Sequence, residues 1–192
     1  MGIQLRPLVR EDLTTLGRWL AEPHVCTWWR EASDPTSVRA TYAPAIAGAD
    51  PTELLIAELD GRPIGMLQRY LLSDNPDYER ALAPAQAPSP AASLDYLIGV
   101  PELTGRGLGP RMIAAGSSGV WLRHPEVVAI VVAVQQANRP SWRALESAGY
   151  RRTWAGAVAS GDPSDEGSSY VYVLDRPLAL STLRMRRPAP TA

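Results

Sequence analysis

Residues Asp95-Tyr-Leu-Ile-Gly-Val-Pro-Glu-Leu-Thr-Gly-Arg-Gly-Leu-Gly-Pro-Arg-Met112 join a short apolar run carrying one carboxylate to a loop with glycines at 105, 107 and 109. An apolar helical pattern follows from Met112 to Leu122. Glycine lets bare backbone amides approach a ligand, and a helix begun there turns its positive end toward the same point. Strand, glycine turn and helix in this order build a seat for a pyrophosphate. Two familiar nucleotide-binding patterns fail on spacing. A dinucleotide fingerprint starting at Gly107 needs glycine at position 112, where Met112 stands. A P-loop needs Gly-Lys-Ser/Thr, and the chain offers Gly109-Pro110-Arg111.

Downstream, residues 127–134 are apolar and rich in β-branched side chains, as in a strand buried on both faces. Residues 138–148 read as a helix closed by Gly149, and residues 150–159 and 168–174 as the last two strands, joined by an acidic loop over 160–167. Upstream, residues 3–8 suit an edge strand, because Pro7 cannot donate to a ladder. Arg10 opens a helix with Leu13, Leu16, Trp19 and Leu20 on one face. A loop holding His24, Cys26, Trp28 and Trp29 is expected next, then a short helix over 36–46. Residues 54–59 and 64–72 form a hairpin around Asp60-Gly61. Residues 73–92, with their prolines, alanines and the acids Asp74, Asp77 and Glu79, read as an excursion within one domain. The expected class is α/β (α+β): a mixed sheet with a parallel βαβ unit at its centre and helices on both faces.

The 192 residues fit one domain, with 45% apolar and 20% charged residues. The single domain is expected over 1–180, with a peripheral Arg/Pro-rich tail over 181–192. A net charge of −1 gives no basic field for nucleic acid or anionic lipid. No apolar run approaches a membrane span, and the N-terminus lacks a signal-peptide core. The one cysteine, Cys26, excludes an internal disulfide and points to a reducing, cytoplasmic setting. His24 and Cys26 are too few for a zinc site, so no metal is expected.

Thr104-Gly-Arg-Gly-Leu-Gly109 and Asn138-Arg-Pro-Ser-Trp-Arg-Ala-Leu-Glu-Ser-Ala-Gly-Tyr150, set on either side of the buried strand, resemble the two motifs of the Gcn5-related N-acetyltransferase (GNAT) superfamily. Thr104 departs from the Gln/Arg that usually opens the first motif. The resemblance implies a mostly antiparallel sheet of six to seven strands with a central splayed parallel pair. It also implies acetyl-CoA as cosubstrate: the amides around Gly105, Arg106, Gly107, Leu108 and Gly109 would hold the pyrophosphate, backbone groups of Leu97, Ile98 and Val100 would pair with the pantetheine arm as an added strand, and Asn138 would contact it from the next strand's end.

His24-x-x-x-Trp28-Trp29, Ile64-Gly65 and Leu94-Asp95 are similar in order to aminoglycoside 6'-N-acetyltransferases. That resemblance makes Asp95 the carboxylate that receives the substrate's amine. An amine attacks a thioester only when neutral, so its proton needs an acceptor. Trp28 and Trp29 can wall a sugar site or simply cap a core. The subfamily's second substrate carboxylate falls at Ala133 and its helix tyrosine, credited with protonating the leaving thiolate, at Leu145. Asp74 and Asp77 thinly match its acidic insert, so an acceptor with fewer positive charges is expected. With Leu145 unable to donate, either Tyr172 is the acid or the thiolate leaves and takes its proton from water; Glu31 and Asp34, and Asp162, Asp165 and Glu166 in the acidic loop, either attract an amine or are simply solvated. The expected activity is direct acetyl transfer to a primary amine of an aminoglycoside-type antibiotic. The rivals are a kasugamycin-like amino sugar, a hydroxamate-siderophore amine or a protein amine as acceptor, or a non-catalytic acyl-CoA-binding homologue. A monomer and a homodimer both remain open.

Overall fold

The computed structural model describes residues 2–177, so the tail expected over 181–192 lies outside the described residues. Elements follow in the order β1 (Ile3–Pro7), α1 (Leu13–Leu20), α2 (Pro23–Trp29), α3 (Pro35–Ile46), β2 (Glu53–Leu59), β3 (Arg62–Leu71), α4 (Pro76–Ala81), β4 (Ala91–Ile98), α5 (Leu108–Arg123), β5 (Ala129–Gln135), α6 (Arg139–Ser147), β6 (Arg151–Ala157) and β7 (Ser168–Asp175). The seven strands form one sheet in the order β1-β2-β3-β4-β5-β7-β6. Its pairs are antiparallel except β4 with β5, which α5 joins as a crossover.

The β2–β3 hairpin turns at Asp60 and Gly61, both with positive φ (50° and 76°), the geometry of a tight two-residue turn. α5 and α6 cover one face of the sheet. Beneath them Leu67, Leu94, Met112, Ile113, Ile130 and Leu145 are fully buried. α1 to α3 cover part of the other face over Leu16, Trp19, Val38, Ile56, Met66 and Leu97. Residues 72–90 cover the rest of that face, where Leu72 and Leu82 pack on Val131, Val158, Val171 and Val173. The expected excursion is therefore ordered, because it supplies the apolar cover that one face of β4, β5 and β7 would otherwise lack. β5 meets both layers, as its unbroken apolar run requires: Ile130 belongs to one core cluster and Val131 to the other.

Two expectations are corrected. Residues 23–29 form α2 instead of a loop: Pro23 takes the first helical position, where its missing N–H costs nothing, and the Thr27 hydroxyl donates back to the Pro23 carbonyl. α5 begins at Leu108 and not at Met112, since Pro110 is tolerated within a first turn whose amides have no partner inside the helix.

What positions the site is the parting of β4 and β5. They pair only at Ala91↔Ala129 and Ala92↔Ile130 and then separate. β3 holds β4 as far as Ile98, and β7 holds β5 as far as Gln135. Each strand is thus secured on its outer side while its inner edge faces a gap.

Candidate active site

Strand alternation decides which backbone groups face the gap. The Gly99 amide donates to the Ile64 carbonyl at 2.8 Å. Every second residue of an antiparallel strand repeats that direction, so the backbone groups of Leu97 and Asp95 also turn toward β3, and those of Leu94, Tyr96 and Ile98 turn toward the gap. This corrects one assignment: the amide of Leu97 is committed to Met66, and Tyr96 takes its place beside Ile98 as an edge donor. Such an edge, open except where the Ile98 carbonyl meets His24, suits an extended ligand that adds as a strand.

His24 fixes the end of this edge. Its Nε2 lies 2.8 Å from the Ile98 carbonyl oxygen, and because a carbonyl can only accept, Nε2 carries the proton. The contact ties α2, and with it Trp28 and Trp29, to the floor of the cleft.

Beyond β4, Gly105 and Gly107 have φ of +69° and +71°, and an added Cβ at either would meet nothing within 4 Å. Glycine is needed at these positions for backbone conformation, and the space around them is open. Gly107 caps α5 without a side-chain bond, so the first amides of this 16-residue helix point outward without a cap. Leu108 anchors the turn by burying its side chain in the core. An anionic phosphate group fits this cradle. Across the gap, the Asn138 side chain accepts from the Ser141 amide (3.2 Å) and starts α6. The Ser141 hydroxyl lies 2.9 Å from the Tyr96 hydroxyl.

Successive side chains of β4 point to opposite faces. Tyr96 therefore packs on the α5–α6 side, and Asp95 opens to the other side. A cavity of about 160 Å³ runs through the gap: Trp28, Trp29, Gln68, Tyr70 and Tyr78 wall it on the Asp95 side with the carboxylates of Glu31 and Asp165, and Tyr96 and Ser141 reach it from the α5–α6 side. Gln68 Nε2 donates to Asp95 Oδ2 at 3.0 Å from the facing register position on β3. Burial pushes the Asp95 carboxyl up to about 6; hydrogen bonds from Gln68 and Tyr70 oppose this, and the charges of Asp165 and Asp162 add to it. Burial also raises Glu31, against hydrogen bonds from Tyr42 and Trp29, and raises Asp165, against the Ser160 hydroxyl. Arg30 closes the rim by donating to the Pro163 carbonyl and to Glu166.

Both tryptophans expected at the acceptor site are at the cavity wall. Three other expectations are corrected. Asp77 lies in the first turn of α4 with its side chain in solvent, paired with Arg80. Asp74 faces a separate surface hollow lined by Arg69, Arg123 and His124. From the same segment it is Tyr78 that reaches the cavity, held edge-on to Tyr70 at 6.4 Å. Tyr172 is fully buried and donates its hydroxyl to Glu146 at 2.8 Å, on the α6 side and away from the cavity. Ala133 lines the cavity without a charge, and Glu31 and Asp165 flank it from the α2–α3 and β6–β7 connections. Gln68 and Tyr70 escaped sequence reasoning although their alternation on β3, opposite Asp95, was a usable signal. Tyr78, Tyr96 and Ser141 carried none.

Among the described residues, no helix is long and apolar enough to cross a membrane, and no group of three or more His, Cys, Asp or Glu is arranged to hold a metal ion. The chain is 29% identical over 156 residues to the aminoglycoside N(6')-acetyltransferase type 1 of Klebsiella pneumoniae, covering 79% of this chain and 75% of that one, and matches the Serratia marcescens protein of the same name equally. It is similar in structure to AAC(6')-Ib in complex with coenzyme A, with a TM-score of 0.77 and 26% identity over 95% of this chain and 99% of the other. The AAC(6')-Ib complex with coenzyme A and kanamycin gives the same values. Residues 9–156 match the acetyltransferase (GNAT) domain model, and with the splayed β4–β5 pair and the glycine turn they place the chain in the GNAT acetyltransferase family.

Proposed function

We propose that this protein acetylates a primary amine of an aminoglycoside-type antibiotic with acetyl-CoA, at the 6' position by likeness to its relatives, and so confers resistance. The observation that carries this reading is a gap open on both faces: a phosphate cradle and a bare strand edge on one side, and Asp95 under aromatic walls on the other. When bound, acetyl-CoA supplies a thioester as acyl donor. The amides of Gly105 to Gly109 would hold its pyrophosphate, and the gap-facing amides of Tyr96, Ile98 and Val100 would align its arm, with Asn138 opposite. Asp95, largely ionised at neutral pH, first attracts the substrate ammonium and then takes its proton, directly or through water. Trp28 and Trp29 cover the apolar face of a sugar ring.

The cavity is smaller than the roughly 300–1,000 Å³ that encloses a whole drug-sized ligand. It therefore holds the reacting ring, and the remaining rings lie toward the rim, where Glu31 and Asp165 face their amines. The single Cys26 and the dependence on acetyl-CoA support a cytoplasmic site of action.

Thiol release should be measured with a panel of aminoglycosides, a kasugamycin-type amino sugar, a siderophore amine and a peptide amine. Release with the aminoglycosides at a kcat/KM at least ten times that with the others is expected. Release with none of them, despite acetyl-CoA binding, would favour a non-catalytic acyl-CoA-binding role. Glu31→Gln and Asp165→Asn should each raise the acceptor KM roughly tenfold, as expected for losing one charge contact worth about 1.4 kcal/mol, and leave the KM for acetyl-CoA unchanged. Equal effects on both substrates would place these carboxylates outside the acceptor site.

A further inference from the structure

We propose that Tyr96, oriented by Ser141, donates the proton that the departing sulfur receives; this rests on the acetyltransferase reading above. The two faces of the gap divide the chemistry. Asp95 and its carboxylate neighbours lie on the side where a cationic acceptor enters. The glycine cradle, α5 and α6 lie on the opposite side, and the leaving group belongs there with its phosphates. A leaving thiolate needs a hydrogen-bond donor on that side.

The hydroxyls that line the cavity from the α5–α6 face are those of Tyr96 and Ser141; Leu94, Val132 and Val134 around them are apolar. Two other tyrosine hydroxyls of this layer are already engaged. Tyr172 donates to Glu146, and Tyr150 is paired with Ser117 at 2.8 Å within the core. Leu145 is fully buried hydrocarbon.

The Tyr96–Ser141 contact can run in either direction, since either oxygen can be the donor. With Ser141 donating, the Tyr96 proton has only the long 3.4 Å contact to the Ser141 carbonyl to give up before it turns into the gap. Asp95 takes the proton released by the acceptor nitrogen as the carbon–nitrogen bond forms. Tyr96 gives its proton to the sulfur as the carbon–sulfur bond breaks and the sulfur keeps the electron pair. Ser141 then returns a proton to the Tyr96 oxygen and is refilled from solvent through the open cavity. Burial raises the Tyr96 pKa above the ordinary tyrosine value, which keeps the donor protonated between turnovers. Ser141 is a positioning residue, held by its own amide's bond to Asn138.

The test is Tyr96→Phe, which keeps the packed ring and removes one oxygen. Two readouts are required. Turnover should fall roughly 10- to 100-fold, the scale of one general acid, with the KM for acetyl-CoA within about twofold. Free coenzyme A should also be titrated on the protein by thiolate absorbance. A hydroxyl donating to the sulfur stabilises the bound thiolate, so the bound thiol should titrate about one pH unit higher in the variant than in the wild type, and Ser141→Ala should shift it the same way by less. An unchanged bound-thiol titration in Tyr96→Phe would overturn the assignment whatever happens to turnover. Failure of the wild-type protein to bind coenzyme A would instead overturn the acetyltransferase reading itself.

Discussion

Asp95→Asn is expected to lower turnover roughly 100-fold, as loss of a general base does, while acetyl-CoA should still bind. Binding survives because the cosubstrate's seat is built from backbone groups and lies on the other face of the gap, whereas Asp95 projects into the acceptor cavity. The asparagine also keeps a partner for Gln68, so the local fold is preserved. The pH profile provides a second signature. Burial holds the carboxyl near 6, above the ordinary carboxylate value, and the ionised form is the active one. In the wild type kcat/KM therefore falls as pH drops through about 6, and the variant loses this limb. Unchanged turnover in Asp95→Asn, or a limb that survives the substitution, would remove Asp95 from the mechanism.

Gly65→Ala destabilises the protein by about 3 kcal/mol, at the upper end of ordinary overpacking costs. A Cβ at this position would sit 2.1 Å from the Leu97 carbonyl oxygen and 3.1 Å from the Ile98 Cα. Both are backbone atoms of the neighbouring strand, so no side-chain rotation relieves the clash and β4 must move. β4 carries Asp95, Tyr96 and the open edge, so turnover should fall as well, even at temperatures where the variant is folded. A loss of this size lowers Tm by roughly 6–12 °C in a domain of this length, readable by calorimetry. A Tm unchanged within error would show that the strand yields freely, and the rigid edge invoked for acetyl-CoA would have to be abandoned.

Much of the architecture was legible in short-range patterns. Asp60-Gly61 between alternating apolar runs specifies its own hairpin, and both residues take the positive φ that such a turn demands. The β-branched run ending at Val134 reads as doubly buried, and it is. Gly105, Gly107 and Gly109 beside a carboxylate strand and the Asn138 helix pointed to the family that residues 9–156 match. The misreadings came where tertiary contacts override local signals. The aromatic cluster at 23–29 looks like a loop until α2 packs its Val25 into the core and His24 on the Ile98 carbonyl. Asp74 and Asp77 look like substrate ligands because they are acidic and precede the Asp95 strand, yet α4 turns Asp77 to solvent and the turn before it sets Asp74 at a separate hollow.

The sequence alone determined the strands, the main helices and the glycine turn, because turn chemistry, burial pattern and glycine conformation act within a few residues. Only the tertiary structure assembled the candidate acceptor site. Glu31, Asp95 and Asp165 stand more than sixty residues apart in the chain and converge because β4 and β5 part and three separate connections fold over the opening. The same parting decided which β4 amides face the gap and set Asp95 and Tyr96, adjacent in sequence, on opposite sides of the sheet. Strand alternation puts neighbours on opposite faces, but only the opened sheet lets both line one gap.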